Sequence, residues 1–123
     1  MATIKSFTSL EQAKRLAEFL PLESADMYYG YRKDKPEFLP MSDEDVKCLS
    51  QPCWSLTALR SLLPVGIKIN ENTYLFESHN TFNKSWVYRY YNEDDTSYIY
   101  YNNTNEVDAC YEMTIRLHEL NLL

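Results

Sequence analysis

Residues 65–101 constrain the fold more than any other part of the chain. They break into four short runs, 65–69, 73–78, 86–91 and 97–101, each rich in aromatic or β-branched residues. The connections are short and polar: Asn70-Glu71-Asn72, a stretch around His79 to Lys84, and Asn92-Glu93-Asp94-Asp95-Thr96. Such runs read as strands, and such connections as turns. Loops this short join antiparallel neighbours, because a parallel crossover needs a dozen residues or more. The segment is therefore predicted to be a four-stranded antiparallel meander.

Helical spacing appears on either side of it. Leu10, Ala13, Ala17 and Leu20 recur at helical intervals before Pro21, and Thr8 with Glu11 or Ser9 with Gln12 offers a capping box, predicting a helix over 10–20. Ser42 ahead of Asp43, Glu44 and Asp45 predicts a short helix to residue 49. Ser55 is a natural N-cap for a helix over 56–63, with Trp54 before it and Leu59 at the fourth helical position. That is the hydrophobic-staple arrangement, so Trp54, Ser55 and Leu59 are read as a structural anchor. Val107, Cys110, Tyr111, Thr114, Leu117 and Leu120 form the stripe of a helix over 106–120 capped by Asn105. Met27–Tyr31 reads as a short edge strand, and residues 32–36 as an exposed turn. The fold class is α+β: N-terminal helices and a C-terminal helix packed on one face of the sheet. A chain of 123 residues with no linker or repeat reads as a single domain, 1–123.

Three stretches look familiar together: Leu20-Pro21-Leu22-Glu23-Ser24-Ala25-Asp26-Met27, then Cys53-Trp54-Ser55-Leu56-Thr57-Ala58-Leu59 through Leu62-Leu63-Pro64, then Asp108-Ala109-Cys110-Tyr111-Glu112-Met113 through Leu117-His118-Glu119. With them the chain resembles a group of small proteins from gut Bacteroidales genomes and their phages, prophages and other mobile elements. The resemblance implies an accessory protein of a bacterial or phage cytoplasm. It brings no activity, so no site residue is carried over from it.

Charge narrows the partners. Net charge is −6, and the excess lies in residues 41–123, since residues 1–40 hold six basic and six acidic side chains. Only Lys84 and Arg89 are basic between residues 70 and 105. An acidic surface repels phosphate backbones and anionic lipid, which argues against a nucleic-acid or membrane partner. No run approaches a membrane span, and the start of the chain has no apolar signal core, so a cytoplasmic location is expected. The odd set Cys48, Cys53 and Cys110 reads as reduced thiols rather than a zinc site or a disulfide. No catalytic motif is present: with two glycines there is no phosphate-cradling loop, and Cys110 and His118 are too far apart on one helix to act together. No catalytic residue, metal or cofactor is expected.

The tyrosines stand out. Six of the 11 fall on the last two predicted strands, at 88, 90, 91, 98, 100 and 101. Sheet propensity alone accounts for aromatic strands. A sheet covered on one side needs only one apolar face, however, and these strands carry aromatics on both. Assigning Trp86, Tyr88 and Tyr90 to the core leaves Arg89 and Tyr91 on the open face, with Tyr100 or Tyr101 beside them according to register. The expectation is a non-enzymatic interaction protein that binds a protein partner, or itself, through Arg89, Tyr91, Tyr100 and Tyr101. The alternative is a small-molecule site, with or without chemistry, between sheet and helices.

Overall fold

The computed structural model describes residues 5–32, 35–41 and 51–123. The chain divides into two compact units, one spanning Ser6–Ser61 and the other holding Leu62–Leu123 with Lys5. The expected helix over 42–49, and Cys48 with it, lies outside the described residues. No helix among the described residues is long and apolar enough to cross a membrane.

In the first unit, α1 (Leu10–Ala17) starts at Ser9. The Ser9 hydroxyl accepts the Gln12 N–H at 3.2 Å and Gln12 Oε1 accepts the Ser9 N–H at 3.0 Å, so the second capping box forms. The helix ends three residues before the expected Leu20, which closes the following turn by donating to Leu16 O at 2.8 Å. A single 3₁₀ turn, Leu22–Ser24, leads into β1 (Met27–Arg32), β2 (Lys35–Met41) and β3 (Gln51–Cys53). These pair antiparallel in the order β2-β1-β3. Met27–Tyr31 is therefore a central strand rather than an edge strand, and Lys35 and Pro36 belong to β2 rather than to a turn. Pro36, Pro40 and Pro52 hid these strands. A proline cannot donate to a ladder, but it is tolerated on an outer strand, and all three lie there.

α2 (Leu56–Ser61) follows β3 directly, and Ala58 N–H donates to the Ser55 hydroxyl at 3.1 Å. Trp54 and Leu59 are fully buried, and the indole N–H donates to Ser24 Oγ at 2.9 Å. Asp26 binds both the Ser55 N–H and its hydroxyl. Thr8 laces the segment before α1 to β3: its N–H donates to Trp54 O, its hydroxyl accepts Trp54 N–H, and its carbonyl accepts the Tyr29 hydroxyl. α1 itself packs on β3.

The second unit is the expected meander: β4 (Gly66–Ile69), β5 (Asn72–Asn80), β6 (Trp86–Tyr91) and β7 (Ser97–Asn103), antiparallel in the order β4-β5-β6-β7. Asn70 and Glu71, both with positive φ (49° and 72°), make a two-residue hairpin whose twist matches that of its strands. The other two hairpins close through Lys84 and Asp95, again left-handed (φ 60° and 61°).

α3 (Glu106–Glu119) packs on β6 and β7. Its cap is Asn105, whose Oδ1 accepts the Asp108 N–H at 3.1 Å. At its other end Asn121 takes φ 59°, Leu122 N–H reaches Leu117 O, and Asn121 N–H reaches His118 O. That is a Schellman closure, built on asparagine in place of glycine. The helix buries Val107, Cys110, Met113, Thr114 and Leu117.

Candidate binding face

The strand register decides which aromatics meet α3. Tyr88 and Tyr90 are fully buried. Tyr88 donates to Glu106 Oε2 and Tyr90 to Pro64 O, each at 2.7 Å, and the Phe76 ring lies 5.4 Å from both of theirs. Trp86, expected with them, is only half-buried at the strand's end. Burial raises the Tyr90 hydroxyl well above its ordinary value.

The opposite face carries Leu75, Glu77 and His79 on β5, Val87, Arg89 and Tyr91 on β6, and Tyr100 and Asn102 on β7; Val87 is buried, and the exposed part of the face is formed by the other residues. Pairing sets Leu75 opposite Tyr91, and Glu77, Arg89 and Tyr100 in one row across three strands. Tyr100 is thus the residue beside Arg89. Tyr101, the other candidate, pairs with Tyr88 and lies on the α3 side. There burial raises its hydroxyl, with Arg116, Glu112 and Glu119 of α3 as its charged neighbours. A one-residue register shift moved it: β7 pairs Ile99 with Tyr90 but Ser97 with Tyr91, leaving Tyr98 as an extra residue. The Tyr98 ring then lies 5.2 Å from that of Tyr74.

Arg89 is bound from several sides. Its Nη2 donates to Asp95 Oδ1 at 2.7 Å and to Glu77 Oε2 at 3.3 Å, and its Nη1 to Ser97 Oγ at 3.3 Å. The guanidinium carbon stands 4.6 Å from the centroid of the Tyr91 ring. The side chain is only 17% exposed, and its buried Nε has no partner. Glu77 also meets His79 Nδ1 at 2.7 Å. The hydrogen bond from Arg89 holds the Glu77 carboxyl below its usual range, and the two carboxylates in turn raise the guanidinium. Arg89 therefore positions its neighbours: it stiffens Tyr91 and ties the 92–96 turn to β5.

Beside this array a groove of about 580 Å³ runs between the β4–β5 and β6–β7 turns. Leu75 and Tyr91 supply its apolar surface, and Glu71, Glu93 and Asp94 its carboxylates. Leu75 is 49% exposed and Tyr100 53%. Sequence reasoning reached Arg89, Tyr91 and Tyr100 but missed Leu75 and Glu77, which become neighbours only through register. Glu93, Asp94 and Asp95 are exposed in the turn between β6 and β7, as their composition suggested, and Glu93 and Asp94 also line the groove. The groove opens on the face away from α3.

Cys53 and Cys110 are buried, and neither forms a disulfide among the described residues. Burial raises the Cys53 thiol above its ordinary value, with Thr8 Oγ1 3.4 Å from its sulfur. Among the described residues no group of three or more His, Cys, Asp or Glu is arranged to hold a metal ion. No protein-family model, no curated protein and no solved structure matches the chain.

Proposed function

We propose that this chain is a non-enzymatic accessory protein that captures a protein partner on the open face of its four-stranded sheet, a basic segment of that partner lying in the groove beside Tyr91. One observation carries the reading: half-exposed Leu75 stands opposite Tyr91, whose ring Arg89 holds, and half-exposed Tyr100 stands opposite Arg89. Tyrosine gives a large contact area at little entropic cost, and a fixed ring loses less still on binding. Glu71, Glu93 and Asp94 line the same groove, and none of them makes an ion pair among the described residues, so a cationic segment would complete the charge balance. Two apolar side chains in an open, carboxylate-rimmed groove fit a protein segment better than an enclosed small molecule.

The test is capture by the tagged full-length chain from bacterial lysate, quantified by mass spectrometry against Tyr91→Ser and Glu93→Gln/Asp94→Asn. Both variants should melt within a few degrees of the parent and lose most of the captured partner. Equal capture by parent and variants would overturn the reading.

A further inference from the structure

Among the described residues the two sheets have four outer strands, and three of them are guarded against pairing with another chain. β2 carries Pro36 and Pro40, β3 is three residues long with Pro52 at its centre, and β4 is four residues long with a lysine. Short length, proline and lysine are the usual ways a sheet edge is blunted. β7 has none of them. It runs seven residues, Ser97–Asn103, without charge, proline or glycine, and it ends the order β4-β5-β6-β7. The bulge at Tyr98 disturbs only its start, and Ile99–Asn103 keeps regular register with β6. No backbone hydrogen bond joins this stretch to a described residue outside the sheet. Its outward N–H and C=O groups therefore present a template about 17 Å long.

A strand able to lie there must itself have a free, uncharged edge of at least five residues. The chain supplies one, in β7. We propose that β7 pairs antiparallel with β7 of a second copy, joining two four-stranded sheets into one of eight strands. This goes beyond the capture of a foreign partner and uses a different surface, the edge rather than the groove. A two-fold axis at Tyr101 sets Tyr100 opposite Asn102 of the second copy and Ile99 opposite its Asn103. Each match repeats across the axis, as a self-complementary interface requires. No charged residue of the strand meets its like, although each chain carries −6. Five paired residues bury well under the roughly 1,600 Å² of a standard interface, so the dimer is weak and concentration-dependent.

Sedimentation velocity on the full chain over a wide concentration range tests this. The parent should shift from monomer towards dimer as concentration rises. Tyr100 and Asn102 are exposed, so substitutions there leave the fold intact, and a glutamate at position 100 faces Arg89. Tyr100→Glu/Asn102→Glu places like charges opposite each other twice and should stay monomeric throughout. Tyr100→Glu/Asn102→Lys places opposite charges there and should restore or exceed the parent's dimerisation. A parent that is monomeric at every concentration, a double glutamate that still dimerises, or a charge swap that fails to rescue would each overturn the proposal. Circular dichroism on all three proteins confirms that a lost dimer is not a lost fold.

Discussion

Arg89 shows how a side chain on an open sheet face is held in place. Three hydrogen-bonding partners and the Tyr91 ring surround one guanidinium, leaving it less mobile than its position on the surface suggests. The interaction has a definite dependence on pH. Because Arg89 lowers the Glu77 pKa in the folded state, Glu77 contributes stability at pH values above the ordinary carboxylate range. That contribution is lost as pH falls through the depressed folded-state value. Glu77→Gln should therefore be slightly less stable than the parent at neutral pH, by under about 1 kcal/mol for a pair this exposed. It should also lose less stability between about pH 5 and about pH 2. Urea midpoints at neutral and acid pH check this: parallel loss in both proteins would mean that Glu77 carries no linkage.

Among the elements, the β4–β5 hairpin is a place where the chain keeps a residue that its backbone disfavours. Asn70 and Glu71 both adopt left-handed φ, which asparagine tolerates and glutamate does not. Asn-Gly is the favoured pair for such a turn. Glu71→Gly should stabilise the protein by about 1 kcal/mol, measured as a higher urea midpoint. The same substitution removes a carboxylate from the groove, so it should also weaken partner capture. Stability and binding moving in opposite directions would mark Glu71 as retained for the groove. The edge strands tell a related story at this scale: prolines guard the outer strands of the first sheet, while β7 is left bare.

For the molecule as a whole, the decisive property is where its charge sits. The net charge is −6, and the proposed face gathers Glu71, Glu93 and Asp94 around a groove whose apolar surface comes from Leu75 and Tyr91. Screening lengths near 8 Å at physiological ionic strength mean that these charges act on a partner at encounter more than at long range. Capture should therefore weaken steadily as salt is raised, through slower association. Surface plasmon resonance with the captured partner would show it, and salt-independent association would assign the affinity to Leu75, Tyr91 and Tyr100 alone. β7 pairing, which involves no charge, should respond much less.

The sequence by itself determined the meander, its approximate strand positions and the Asn105 cap of the last helix, and narrowed the first helix's cap to two boxes, because period, turn residues and caps act over a few neighbouring positions. It singled out Trp54, Ser55 and Leu59 for the same reason, and Trp54 and Leu59 are fully buried. It missed the three-stranded sheet: prolines read locally as strand breakers, and only pairing shows that an outer strand can hold them. The tertiary structure alone decided which tyrosine stands beside Arg89. One extra residue at Tyr98 alternates the faces of β7 differently from a simple count, so Tyr100 lies on the open face and Tyr101 beside α3. It alone brought Glu77 and Asp95 to the same guanidinium and Leu75 to Tyr91, since those neighbours are separated along the chain and meet only when antiparallel pairing fixes the register.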